Sequence, residues 1–169
     1  MRKLLRAIAY VPELVAGLTM LAIAGILFAG VIWRYLFGDP LGWSDEVARV
    51  LFVWLAFIGA AIGVKRRLHA SVSVFSSRMP RKWQFATTLF GMSLVALMAL
   101  LFVYTGAIET LTSFGQESMP VTGLPTGWLY LAVPVSGALM IAYLIPQVFG
   151  AIARRNSEGL PPDLHAPID

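Results

Sequence analysis

Arg34-Tyr35-Leu36-Phe37 through Trp43-Ser44-Asp45-Glu46-Val47-Ala48-Arg49 is a short charged and aromatic stretch between two long apolar runs. Ser44 is a favoured N-cap residue. Asp45 and Glu46 follow it where the free N–H groups of a first helical turn favour anions. The expectation is a helix starting here, at about residue 45. From that start Glu46, Arg49, Val53, Ala56, Ala60 and Gly63 recur at steps of three and four, so they share one helical face. The face carries two charges and then only small or slim residues. A lipid-facing stripe would be rich in Leu and Phe, whereas small and ionisable residues belong against other protein. The stretch therefore reads as a packing face, with Arg34 joining Glu46 and Arg49 from the preceding helix as a shared charge cluster. The other reading open at this point is that the three charges only snorkel to the interface and cap a helix.

Working outward, a chain of 169 residues that is 58% hydrophobic carries far more apolar surface than a soluble domain of this size buries. An all-α integral membrane protein is expected, with four transmembrane helices in one domain over 1–153. The spans are placed at about 14–36, 45–64, 84–108 and 127–150. The first run, Leu14 to Trp33, is long enough to cross roughly 30 Å of hydrocarbon. It ends in Trp33-Arg34-Tyr35 rather than a small-residue cleavage site, so it reads as a retained anchor and not a signal peptide.

Gly38-Asp39-Pro40-Leu41-Gly42 is a turn by composition. The second span contains Gly59-Ala60-Ala61-Ile62-Gly63, a GxxxG match that continues the small stripe below Glu46 and Arg49. A basic connection follows, in which Leu68, Val72, Phe75 and Met79 are spaced as one helical face. It reads as a short amphipathic segment on the membrane surface between helices 2 and 3, with His69 as an interfacial residue and its basic groups attracting anionic lipid.

Thr110 to Gly127, rich in Gly, Pro, Ser and Thr, reads as a loop. Trp128 and Tyr130 form an interfacial belt at the start of the fourth span. Pro134 is expected to kink that span, its freed carbonyl satisfied by a neighbour or by Ser136. The tail, 154–169, reads as polar, disordered and cytoplasmic.

Eleven of the thirteen Lys and Arg residues lie at the N-terminus, in the second connection or near the C-terminus, and none lies in the segments 37–44 or 110–125. The positive-inside rule therefore predicts both termini in the cytoplasm. The opposite face carries Asp39, Asp45, Glu46, Glu109 and Glu117. The basic residues flank apolar runs, which is a topology signal and not a nucleic-acid site.

No cysteine is present, which excludes disulfides and thiolate metal sites. His69 and His165 lie outside the spans, so a bis-histidine haem is not expected. No catalytic constellation is apparent, and neither an enzymatic role, a metal nor a cofactor is expected. A stand-alone small four-helix proton-coupled exporter, with Glu13 or Glu109 as its carboxylate, is the alternative.

Arg34-Tyr35 at the end of the first span, Leu41-x-Trp43-Ser44-Asp45-Glu46-x-x-Arg49-x-x-Phe52-x-Trp54, and Gly59-Ala60 further on form a recognisable set. His69, Met79-Pro80 and Leu131-Ala132-Val133-Pro134-Val135 add to it. Over roughly residues 10 to 150 the sequence resembles the small membrane subunit, DctQ type, of tripartite ATP-independent periplasmic (TRAP) transporters. The resemblance implies a multi-pass protein of the bacterial inner membrane, partnered by a large membrane subunit that moves organic acid and sodium in symport. It also implies a periplasmic solute-binding protein that delivers the substrate, with the small subunit as a fixed scaffold. The residues then expected at the subunit interface or in a structural cluster are Arg34, Trp43, Asp45, Glu46, Arg49, Ala56, Gly59, Ala60 and Gly63.

Overall fold

The computed structural model describes residues 2–38, 41–66 and 81–157, and the side chains of 10–38, 41–66 and 86–150. Five helices account for nearly all of it: α1 Arg2–Phe37, α2 Gly42–Lys65, α3 Arg81–Gln116, the single turn α4 Gly127–Tyr130, and α5 Ala132–Ser157. The fold is all-helical, and an isolated bridge between Ser118 and Pro125 is the extended pairing among the described residues. Four stretches are long and apolar enough to cross a membrane: Tyr10–Phe37, Gly42–Lys65, Ala86–Gln116 and Gly127–Gly150. The amphipathic segment read at 68–79, with His69, lies outside the described residues, as does the tail beyond Ser157.

The helices form an open row. α1 packs on α2, α2 on α5, and α5 on α3, so the last helix in sequence sits between the second and third spans. The core lies where those three meet: Ala61 and Val64 of α2, Ala99 of α3 and Met140 of α5 are buried together. Phe57 and Phe102 meet edge to face beside them at 5.6 Å between centroids. Close approach of α3 and α5 depends on two glycines. A Cβ on Gly106 would lie 2.7 Å from Pro134 Cδ, and one on Gly137 would lie 2.8 Å from the Ala99 carbonyl oxygen. α1, by contrast, leans mainly on α2, and Leu18, Leu21 and Phe28 are exposed along it.

Several boundaries differ from the sequence expectation. α2 begins at Gly42, and its N-cap is Leu41 and not Ser44. The Ser44 hydroxyl donates to the Leu41 carbonyl at 2.6 Å and is buried against Gly30 of α1, so the helix gains its first turn from backbone geometry. α3 runs on to Gln116, through residues read as loop. Thr110 and Thr112 donate back to the carbonyls of Gly106 and Ile108, at 2.6 and 2.8 Å, so their hydroxyls stay satisfied inside a helix. The fourth span is interrupted at Leu131, three residues before Pro134, and α5 then takes the proline in its first turn, where no N–H is needed. Ser136 donates to Val133, at 2.8 Å, and not to the carbonyl opposite the proline. At the other end, α5 continues through Arg154 and Arg155 to Ser157.

Candidate functional site: an interface built around α2

α2 is fastened at both ends. At its first turns, Glu46 is buried and turned toward the loop that joins α3 to α4. The Val121 N–H donates to Glu46 Oε1 at 2.9 Å, the Thr122 N–H to Oε2 at 2.8 Å, and the Thr122 hydroxyl to Oε2 at 2.7 Å. One carboxylate thus clasps a loop tip 75 residues away in the chain. The loop is built to present those amides. Met119 N–H donates to the Leu124 carbonyl at 2.8 Å, Gly123 N–H to that of Met119 at 3.0 Å, and Thr126 N–H to that of Glu117 at 3.0 Å. Gly123 takes a φ of 68°, the left-handed region that glycine enters without steric cost. Gly42 leaves room for Val121, whose Cγ1 lies 3.3 Å from where a Cβ would stand.

Beneath the clasp, the indole of Trp54 donates to the Trp128 carbonyl at 2.9 Å. Val47, Val50, Leu51 and Trp54 of α2 face Met119, Leu124 and Trp128 across an apolar cavity of about 260 Å³. Trp128 is also held edge-on by Phe114 at 5.6 Å.

At the opposite end of α2, Lys65 Nζ lies 2.6 Å from Glu13 Oε1, and Arg66 reaches the same oxygen at 4.0 Å. The ammonium sits over the rings of Tyr10 and Tyr143, at 5.5 and 5.8 Å from their centroids. Gln147 of α5 donates to the Val64 carbonyl at 3.0 Å, satisfying one of the orphan acceptors at the helix end. This lower fastening joins α1, α2 and α5.

Between the fastenings, one face of α2 is left exposed by the described residues. Asp45, Arg49, Phe52, Ala56, Gly59 and Ala60 are exposed along it, and nothing lies within 4 Å of a Cβ built on Gly59. Gly63 is half-buried lower on that side, and Trp43 and Arg34 are exposed near the outer ends of α2 and α1. Of the expected charge cluster, Glu46 and Arg49 stand one turn apart and attract through space, but no ion pair within 4 Å joins Arg34, Glu46 and Arg49. Glu46 spends its acceptors on the loop, and among the described residues the ion pairs within 4 Å are those of Glu13 with Lys65 and Arg66. The Glu13–Lys65 pair and the Gln147 cap were missed in the sequence. The available signal was that Glu13 and Lys65 sit at adjoining ends of consecutive antiparallel spans. Among the described residues no group of three His, Cys, Asp or Glu is placed to hold a metal ion.

Four spans, two fastenings and an open small-residue face define a multi-pass helical membrane subunit. Residues 23–154 match the family model described as tripartite ATP-independent periplasmic transporters, DctQ component. The chain belongs to that family, and is accordingly a permease subunit of the bacterial inner membrane and not an enzyme. It is 27% identical over 154 residues to the sialic acid TRAP transporter small permease protein SiaQ of Vibrio cholerae, covering 88% of this chain and 86% of that one. It is 31% identical over 139 residues to the C4-dicarboxylate TRAP transporter small permease protein DctQ of Rhodobacter capsulatus, covering 82% and 60%. A third relative is the sialic acid TRAP transporter permease protein SiaT of Haemophilus influenzae, 32% identical over 132 residues. There the match takes in 76% of this chain but spans only 21% of the relative's length.

Proposed function

We propose that this chain is the fixed membrane scaffold of a sodium-driven TRAP system for organic acid uptake, and that a large permease subunit docks on the open face of α2. The observation that carries this reading is the contrast along α2. Both ends are tied into the chain by charged hydrogen bonds, while Ala56, Gly59 and Ala60 between them are left uncovered. Small residues on a membrane helix let another backbone approach closely, and close packing is what drives association where lipid is as apolar as the helix. The outward face of α3 differs: Leu94, Leu97 and Leu101 are bulky and suit lipid. The match to a fifth of a longer permease protein supports a partner that supplies the rest. Sialic acid and C4-dicarboxylates, in the names of relatives, are organic acids, which supports that substrate class.

Sodium coupling and substrate choice belong, on this reading, to the large subunit and to a periplasmic binding protein that also touches the outer loops. Transport needs a polar site near the midplane that is exposed alternately to the two sides. Of the two carboxylates a stand-alone exporter would use, Glu13 is engaged by Lys65, and Glu109 is exposed on α3. Liposomes holding this chain alone should show no sodium-driven uptake, and adding the large subunit and binding protein should restore it. Uptake by the isolated chain, or full uptake by the other two without it, would defeat the scaffold reading.

The charge asymmetry supports cytoplasmic termini, with the Glu46 clasp on the periplasmic side. Because the chain has no cysteine, single cysteines at Gly38 or Ser118 should react with an impermeant maleimide added to intact spheroplasts. Cysteines at Ser76 or Ser157 should react only after the membrane is opened. The reverse pattern would invert the orientation.

A further inference from the structure

We infer that Arg49 is the charged contact of the docking face, and that it pairs with a carboxylate carried by a helix of the large permease subunit. The inference rests on the docking reading above and adds the chemistry of the partner. Arg49 lies seven residues inside α2, which at 1.5 Å per residue is roughly 10 Å from the helix start. It is exposed on the same side as Phe52, Ala56, Gly59 and Ala60.

The other cations at the span ends are provided for. Lys65 has Glu13 and two tyrosine rings. Arg34 occupies the last turn of α1, where free carbonyl groups attract positive charge. Arg49 is less well provided for. It sits two turns inside α2, beyond the reach of either helix end, and although Glu46 one turn before it attracts it through space, that carboxylate is directed into three donors of the loop. No carboxylate of the described chain lies within 4 Å of it, since the ion pairs there all involve Glu13.

An arginine at this depth is costly unless it meets an acceptor, and a carboxylate offers its planar fork two parallel hydrogen bonds. The residues below it decide where that acceptor comes from. Below Phe52, the residues Ala56, Gly59 and Ala60 keep no bulk between α2 and a neighbouring helix, so a docked helix lies close to α2 one to two turns from the guanidinium, with Phe52 between. The longer permease relative, of which this chain matches a fifth, supplies further chain to occupy that position.

The test is co-purification through a tag on the large subunit, co-expressed with the full chain. Arg49→Gln should reduce recovery of the small subunit about tenfold, Arg49→Lys should retain part of it, and Arg49→Glu should abolish it. A single acidic-to-basic change in the large subunit should restore recovery of Arg49→Glu. Failure of every such change to restore it overturns the carboxylate. Wild-type recovery of Arg49→Gln overturns the inference and assigns the side chain to lipid phosphate. Thermal unfolding of the isolated chain keeps the two explanations of a loss apart. Arg49→Gln should melt like the wild type, and a fall as large as that of Glu46→Gln would make Arg49 a positioning residue of the clasp instead. Gly59→Leu separates this inference from the docking reading: if it blocks co-purification while Arg49→Gln does not, only the arginine assignment falls. Should Gly59→Leu leave recovery unchanged, the docking face itself is wrong, and the pairing falls with it.

Discussion

Glu46→Ala should lower the thermal midpoint of the detergent-solubilised chain by on the order of 5 °C or more, because it strips the acceptor from two backbone amides and a hydroxyl together. The amides of Val121 and Thr122 have their partner in this carboxylate. Hydrogen bonds to an ionised group are stronger than neutral ones, and their loss leaves donors to find water at a membrane edge. The loop from Glu117 to Thr126 should then open while the four spans persist. A cysteine placed at Thr122 already removes one of the three donors, so the reporter belongs at exposed Leu124. Maleimide labelling there should speed up about tenfold as the local opening free energy falls. Glu117→Ala, at an exposed carboxylate of the same loop, should change neither reading. Equal and small effects of the two substitutions would mean that the clasp contributes nothing to the fold.

Gly137→Ala should destabilise the chain by about 1–3 kcal/mol, the usual cost of forcing a methyl group into a packed contact. The added carbon would lie 2.8 Å from the Ala99 carbonyl oxygen and 3.0 Å from Phe102 Cβ, and the first of these is backbone that no rotamer change can move. Gly106→Ala meets Pro134 in the same way from the facing helix. Gly137→Leu should prevent α3 and α5 from associating, leaving a protein that is extracted but aggregates. The informative comparison is Gly59, where nothing lies within 4 Å. Gly59→Ala should melt like the wild type, since a helical glycine in open space has no contact to lose. Melting curves of the three alanine variants decide the matter, and equal midpoints would contradict the α3–α5 packing.

The number of spans was legible from the sequence because a membrane helix states itself in twenty consecutive apolar residues. The importance of the stretch around Glu46 was legible too, since charge beside an apolar run demands a reason. The identity of its partner was not. Two backbone amides at Val121 and Thr122 have no signature in residue type, whereas Arg34 offered an obvious opposite charge nearby. Ser44 misled for a related reason: a serine at a helix start reads as a cap, yet here it is buried against Gly30 one turn in. The end of α3 was hidden by threonines and serines, which mark loops in water but bond to their own helix in an apolar setting. Gly106 and Gly137 were likewise invisible as contacts, because nothing in the sequence pairs a glycine of one span with a proline or carbonyl of another.

The position of α5 in the row has a consequence for how the chain is made. A ribosome delivers α1, α2 and α3 to the translocon before Gly127 has been synthesised, and until then α2 and α3 lack the helix on which both pack. The first two spans can leave as a hairpin, tied near Glu13 and Lys65. The third has only its Phe57–Phe102 contact with α2 until the helix on which it chiefly packs arrives. Release into its final place comes when Met140 and Gly137 slot against Ala99 and Gln147 reaches the end of α2. Insertion is therefore completed from the C-terminal side.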